Sequence, residues 1–401
     1  MAKVLKDEKL IEKFLTRGVE IVVPSADALR EKLMSGERIK AYCGFDPSGP
    51  HLHVGHAMGI RALRMLQQLG HEVIFLVGDF TAICGDPSDG KYRKIMTEEE
   101  IQENMRGWKK QAGSLIDFRG KNPAKFIRNS EWLSKLKLKD LIELMSKTTV
   151  QQMIERELFQ KKLKERIPIG LQEFIYPLMQ GYDSVAMNVD LEIGGNDQLF
   201  NMIVGRQLSK IYNNKEKFVR AHELMEAPNA MTMSKTSGNG INLDDSAQDI
   251  YGKGMSYPDE LVLKGLRVMT DVPLEEIWNM EQEMKQGENP MKFKKLMAYE
   301  ITKMIRGEKE AKRAQEHFEK TVQNKEITAE SVVKTRVSGT LQLIEFLKNV
   351  NDEMSVSEIK RLVEQGGVEV DENKITDPYL LIEFKKGTII KFGKRKFFEV
   401  A

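Results

Sequence analysis

Two apolar runs separated by one helical pattern constrain this chain more than any other feature. Ile39-Lys40-Ala41-Tyr42-Cys43-Gly44-Phe45 and Glu72-Val73-Ile74-Phe75-Leu76-Val77-Gly78 read as buried strands. Between them Gly55 opens a helical spacing through Met58, Ala62, Met65, Leu66 and Leu69 that stops at Gly70. The second run lacks polar alternation, as in a parallel sheet covered on both faces. A third strand, Val189-Asp190-Leu191-Glu192-Ile193, leads into a helix through Leu199, Ile203, Val204 and Leu208. The expected class is α/β, with ligands in the loops beyond the carboxyl ends of the parallel strands.

Three such loops carry chemistry. His51-Leu52-His53-Val54-Gly55-His56 lies at a helix N-terminus, where partial positive charge and glycine favour a nucleotide phosphate beside His53 and His56. Two rival readings remain: a capped helix with surface imidazoles, or a metal site on His51, His53 and His56, which no carboxylate or thiol cluster elsewhere completes. In the loop after the second strand, Asp86 suits a substrate ammonium or a helix cap. Gly194-Gly195-Asn196-Asp197-Gln198, a glycine pair at a strand end, suits a ribose and base or an ordinary turn.

Other stretches add to this set. Tyr176, Gln180 and Asp183 fall at i, i+4 and i+7, one polar stripe on an otherwise apolar helix, which suggests a pocket for a small polar ligand or a surface stripe. After Pro228, small residues surround Lys235, a charge that such a loop can bring onto a phosphate. Residues to about 36 read as two helices joined by a link, and the segment from Ser246 to about Ala329 as a helical bundle. The tail from about Ser338 reads as two short helices and several strands, with Lys391, Lys394, Arg395 and Lys396 forming a candidate RNA-binding edge.

Composition excludes several classes. A net charge of +2 over 401 residues gives no global polyanion signal, so a nucleic-acid surface must be local. Cys43 and Cys84 are too few for a disulfide framework or a four-thiolate zinc site, and suit a reducing cytoplasm. No apolar stretch is long enough to span a bilayer, so no membrane partner is expected.

Taken together, the motifs resemble one family. Tyr42-Cys43-Gly44-Phe45-Asp46-Pro47-Ser48 followed by His53-Val54-Gly55-His56 resembles the first strand and HIGH signature of bacterial-type tyrosyl-tRNA synthetases, which are class I aminoacyl-tRNA synthetases. Gly85-Asp86-Pro87-Ser88, the Tyr176, Gln180, Asp183 face and the Gly194–Gln198 loop resemble the family's substrate helix and ribose loop, in the same order. The tail is similar to an RNA-binding module shared with a small-subunit ribosomal protein. The second signature, KMSKS, stands here as Thr232-Met233-Ser234-Lys235-Thr236, without its first lysine.

The resemblance implies a Rossmann-like catalytic domain over 1–225, a signature loop and α-helical anticodon-region domain over 226–335, and a small α+β RNA-binding module over 336–401. It implies activation of L-tyrosine by ATP with Mg²⁺, transfer to tRNA(Tyr), and a homodimer. By its pattern His53, His56 and Lys235 are catalytic, Tyr42 and Asp183 meet the substrate phenol, and Asp86, Tyr176 and Gln180 hold its ammonium. Cys43, Gly44, Asp46, Ser48, Gly55, Gly195, Asp197, Gln198 and Lys235 would meet ATP, while His51 lies outside the signature. No protein-bound metal is expected. Two other functions stay open: a nucleotidyltransferase with the same HxGH loop, and a non-catalytic RNA-binding factor derived from a synthetase.

Overall fold

Six strands make the larger sheet: β1 (Val19–Val23), β2 (Lys40–Phe45), β3 (Glu72–Val77), β4 (Lys125–Arg128), β5 (Leu191–Gly195) and β6 (Phe218–His222). Their order is β1-β6-β5-β2-β3-β4, with β1 antiparallel to β6 and the other neighbours parallel. This computed structural model describes residues 2–85, 95–227, 240–323, 332–351, 354–371, 373–393 and 396–401.

Register explains the apolar runs. Ala41, Cys43 and Phe45 on β2, with Val73, Phe75 and Val77 on β3, enter the main core together with Leu63 and Leu66 of the Val54–Gln68 helix. Tyr42, Ile74 and Leu76 belong to a second cluster with Met187 and Val189. Alternate residues serve two cores, so neither set can be polar at no cost. The helix stops where Gly70 takes φ +88°, and a Cβ there would overlap the Lys3 carbonyl. Only glycine meets both demands.

Strands β2, β3 and β5 lie where the sequence predicts strands, within two residues at each end. Three more were not expected. β4 is four residues long with a charged residue at each end, β1 falls within the link between the first two helices, and β6 carries buried Arg220 and His222 that interrupt its apolar pattern. From β2 the chain adds β3 and then β4 on one side, and returns to place β5 and β6 on the other. The direction of winding therefore reverses between β2 and β5, where open α/β sheets hold their ligands.

Helices Leu171–Met187 and Leu199–Asn213 approach closely, since a Cβ at Gly181 would stand 3.2 Å from the Gly205 Cα. Later helices, among them Ala247–Met255, Val262–Met269 and Pro290–Arg306, share the main core through Ile250, Leu266, Met297 and Ile301. Arg17 ties the N-terminal helix to them, donating to the carbonyls of Val272 at 2.7 Å and Leu266 at 3.0 Å. The compact units are accordingly Met1–Ala311 and Lys312–Ala401, and the first contains both the sheet and helices that lie beyond residue 226. In the second unit, a five-stranded sheet packs with helices Leu343–Val350 and Val356–Glu364 through Phe346, Leu347, Ile359, Val363 and Ile390. Among the described residues no helix is long and apolar enough to cross a membrane.

His222, at the end of β6, is buried, and burial with the Arg220 charge brings its pKa down from 6.5 to about 3. Between those values the unfolded chain binds a proton that the folded chain refuses. Stability therefore falls as pH drops from 6.5 towards 3, by up to ~1.4 kcal/mol per pH unit for this one group. His222→Leu is expected to flatten that slope in denaturant unfolding followed from pH 4 to 7; an unchanged slope refutes the assignment.

Candidate active site

At the switch point Tyr42 of β2 pairs in register with Glu192 of β5, and Cys43 with Ile193. The strands are parallel, so the loops after Phe45 and after Gly195 emerge side by side. The Leu171–Met187 helix contributes Tyr176, Gln180, Asp183 and Ser184, residues whose spacing keeps them on neighbouring helix rows.

Two hydrogen-bonded chains start from that helix. In the first, the Tyr176 hydroxyl donates to Asp46 Oδ2 at 2.8 Å, and Thr81 Oγ1 donates to Asp46 Oδ1 at 2.8 Å. Asn129 Nδ2 then joins Thr81 Oγ1 at 3.0 Å to Asp183 Oδ2 at 3.2 Å, and Trp132 Nε1 donates to Asp183 Oδ1 at 2.8 Å. Gly78 makes this possible, because a Cβ there would overlap the Asp46 carboxylate and the Thr81 hydroxyl. In the second chain, the Tyr42 and Ser184 hydroxyls are 2.9 Å apart, and Lys217 Nζ donates to Ser184 Oγ at 2.9 Å and to Glu192 Oε2. Gln180 Nε2 donates to Glu192 Oε1 at 3.2 Å, and Asn201 Nδ2 donates at 2.9 Å both to Gln180 Oε1 and to Gln198 Oε1.

Tyr42, Asp183, Ser184, Glu192 and Lys217 are buried, and the acidities of Tyr42, Asp183 and Lys217 show it. Burial holds the Asp183 carboxyl well above the usual carboxylate range against the opposing Trp132 and Asn129 donors, with Glu192 and Asp46 adding to the rise. The Tyr42 phenol is raised by burial and by the Glu192 and Asp183 charges. Burial lowers the Lys217 ammonium while Glu192 opposes it. A carboxyl and a phenol kept this dry suit a ligand hydroxyl able to pair with them.

The histidine loop is arranged differently from the simple expectation. His53 caps the Val54–Gln68 helix: its Nδ1 accepts from the Gly55 N–H at 3.2 Å, and the His53 N–H donates to His56 Nδ1 at 3.0 Å. The Val54 N–H is taken by the Ile241 carbonyl at 2.9 Å, and that of His56 by the His53 carbonyl at 2.9 Å. The amides that sequence reasoning offered to a phosphate are thus engaged within the protein. What the loop presents is two imidazoles tilted at 47° to each other, ring centroids 3.8 Å apart, each using Nδ1 as an acceptor and so carrying its N–H on Nε2.

The same loop is pinned from two sides. Leu243 N–H donates to the Leu52 carbonyl at 2.7 Å, and His53 bridges Asn242, so the segment that follows residues 228–239 lies against the histidines. Gln111 accepts from the Leu52 N–H at 2.7 Å and donates to the Pro50 carbonyl at 2.9 Å, while Asn104 donates to the Pro47 carbonyl at 2.9 Å. His51 turns to Asp244, Nδ1 to Oδ2 2.8 Å, and not to the other two histidines. Among the described residues no group of three or more His, Cys, Asp or Glu has metal-binding geometry.

The remaining candidates separate. Cys43 is buried with its thiol beneath Gly59, where a Cβ would come within 2.7 Å of Sγ, and burial pushes its pKa up. Gly44 is exposed at the strand end, and the Ser48 N–H closes a turn on the Asp46 carbonyl at 2.8 Å. Asp46, which the resemblance assigned to ATP, is the partner of Tyr176. Asp197 accepts from Gln198 Nε2 at 3.0 Å beside Gly195, where a Cβ would crowd the Asp197 carboxylate. Lys391 pairs with Glu369 at 2.8 Å. Asp86, Lys235, Lys394 and Arg395 lie outside the described residues, as does the Lys396 side chain.

Sequence reasoning missed Asn129, Trp132, Ser184, Asn201 and Lys217. Glu192 inside a buried parallel strand was the available signal, since an unpaired carboxylate there demands a cation nearby. Asn129 and Trp132 follow a strand that was itself not expected.

With its buried polar chains at the switch point and its two histidines at the start of the Val54–Gln68 helix, the fold is that of an enzyme that activates a carboxylate on a nucleotide, and the chain belongs to the family described as tRNA synthetases class I (W and Y), matched over residues 34–323. Its relatives include the tyrosine–tRNA ligase of Thermotoga maritima, 41% identical across 97% of this chain and 96% of that one. The tyrosine–tRNA ligase of Aquifex aeolicus is 38% identical across 95% of this chain and 96% of that one. The fold is shared with the crystal structure of the Archaeoglobus fulgidus tyrosyl-tRNA synthetase complexed with L-tyrosine, TM-score 0.61 at 22% identity, covering 77% of this chain and 100% of that one.

The histidine geometry makes one demand on activity. His53→Ala is expected to slow amino-acid activation by about 10² to 10³, the usual effect of losing one transition-state donor. Single-turnover adenylate formation measures it, and an unchanged rate rules the role out.

Proposed function

We propose that the chain is a tyrosine–tRNA ligase, activating L-tyrosine with ATP and transferring the tyrosyl group to tRNA(Tyr). The observation that carries this reading is the burial of the Tyr42 phenol and the Asp183 carboxyl in neighbouring hydrogen-bonded chains, the first on Ser184 and the second on Asn129 and Trp132, a setting suited to a ligand hydroxyl. A site built to bond a hydroxyl rejects the analogue without it, and tyrosyl enzymes are the standing illustration of that rule. Asp86, Tyr176 and Gln180 would hold the ammonium.

The chemistry asks for alignment and charge stabilisation rather than a protein nucleophile. The tyrosine carboxylate attacks the α-phosphate, the α–β bridging oxygen leaves with pyrophosphate, and tyrosyl-adenylate forms. A ribose hydroxyl at the tRNA 3′ end then attacks the carbonyl carbon, and AMP leaves. His53 and His56 would donate Nε2–H to the phosphates, and Lys235 would approach from the segment that precedes Asn242 in the chain, Asn242 itself bridging His53. Mg²⁺ enters with ATP. Gly195, Asp197 and Gln198 would take the ribose, with Gly44 and Ser48 at the neighbouring strand end.

Three further readings complete the proposal. The RNA-binding role falls to the tail, through the basic edge around Lys391 to Lys396. A homodimer is supported by Leu138, Ile142 and Leu171, exposed at 73%, 60% and 81%, an apolar load that a second copy would cover. The location would be cytoplasmic.

ATP–pyrophosphate exchange with a panel of amino acids tests the substrate: strict dependence on tyrosine is expected, and exchange supported by tryptophan instead overturns it. Removing the residues after 337 is expected to leave that exchange intact and to depress tRNA charging. Equal loss of both, in a truncated protein that still shows its folded circular dichroism, would refute the modular reading.

A further inference from the structure

The buried Lys217–Glu192 ion pair is the least expected feature of the Met1–Ala311 unit. Both side chains are almost wholly inaccessible, at 0% and 2% exposure, and burying two charges is worthwhile only when their remaining donors and acceptors are used. Here they are used on the site. Lys217 Nζ donates to Ser184 Oγ at 2.9 Å, and Ser184 Oγ stands 2.9 Å from the Tyr42 hydroxyl. Glu192 Oε1 accepts from Gln180 Nε2 at 3.2 Å, and Oε2 takes the ammonium.

The packing reserves the space for this. A Cβ at Gly205 would stand 2.7 Å from Lys217 Nζ and 3.1 Å from Ser184 Oγ, so the glycine that lets the two helices close also leaves room for the ammonium. One ion pair therefore sits behind both ends of the candidate amino-acid pocket. Through Ser184 it reaches the phenol end at Tyr42, and through Glu192 the ammonium end at Gln180.

We propose that Lys217 is a positioning residue for amino-acid selection, holding the Tyr42 hydroxyl through Ser184 and the Gln180 amide through Glu192. It touches neither substrate nor ATP. Without its charge the buried Glu192 carboxylate keeps only the Ser184 hydroxyl at 3.3 Å and the Gln180 amide at 3.2 Å as donors, and it must take up a proton or shift, changing both bonds. Either response releases the two groups that would judge the ligand. This rests on the tyrosine reading above.

The test compares unaltered protein with Lys217→Met and Ser184→Ala in ATP–pyrophosphate exchange, taking KM for tyrosine, KM for ATP and the tyrosine-to-phenylalanine ratio of kcat/KM. Both variants are expected to lower that ratio by about tenfold, the effect of one buried hydrogen bond, and Lys217→Met also to raise the tyrosine KM by about tenfold. KM for ATP should stay within about twofold. Ser184→Ala keeps both charges, so it decides the question if Lys217→Met fails to fold by circular dichroism. An unchanged ratio in a folded, tyrosine-dependent variant overturns the role of Lys217. Exchange by the unaltered protein that does not require tyrosine overturns the tyrosine reading instead.

Discussion

The parallel pairing of β2 with β5, in register from Ala41 with Leu191 to Cys43 with Ile193, is the contact on which the site depends. It places Tyr42 beside Glu192 and brings the carboxyl ends of two strands from distant parts of the sequence to one edge. The pairing is anchored at its start, where the Asp190 N–H donates to the Lys40 carbonyl at 2.8 Å and Asp190 Oδ2 accepts from the Lys40 N–H at 2.7 Å. Asn188, left-handed at φ 49°, turns the Leu171–Met187 helix directly into that anchor. The helix bearing Tyr176, Gln180 and Asp183 is therefore positioned by the same contact that defines the switch point.

Around this contact the protein buries more polarity than a sheet of this kind requires. Asp183, Glu192 and Lys217 are each at most 2% exposed. Hydrophobic substitutes of similar volume are often no less stable than a buried ion pair, so stability alone does not explain their presence. Their bonds explain it better, because each connects to a residue of the candidate pocket. Local rules are broken where a ligand has to be met.

The histidine loop shows the same economy of donors. Its first-turn amides are committed to His53, His56 and Ile241, which leaves the imidazole Nε2–H groups as its contribution on the proposed phosphate side. Leu52 to Val54 pair with Ile241 to Leu243, which follow residues 228–239 in the chain. The histidine loop and Ile241 to Leu243, far apart in the chain, thus share a backbone hydrogen-bond ladder.

Much of this was legible in the chain. Apolar runs specify β2 and β3 because strands buried on both faces admit few polar residues, and the i, i+4, i+7 stripe specifies which faces of the Leu171–Met187 helix meet. Those are local patterns, and the sequence by itself determined the α/β class, the order of the motifs and the family they resemble. Tertiary structure alone decided the partners. β4 is too short, β1 hides in the link between two helices, and Arg220 and His222 interrupt β6, so Asn129, Trp132 and Lys217, which follow or precede β4 and β6, had no local signature. That Lys217 would meet Glu192 and Ser184, and that the helix amides at His53 would already be satisfied, depends on contacts between distant segments. Hydrogen bonds of that kind are set by three-dimensional register, which no periodicity along the chain encodes.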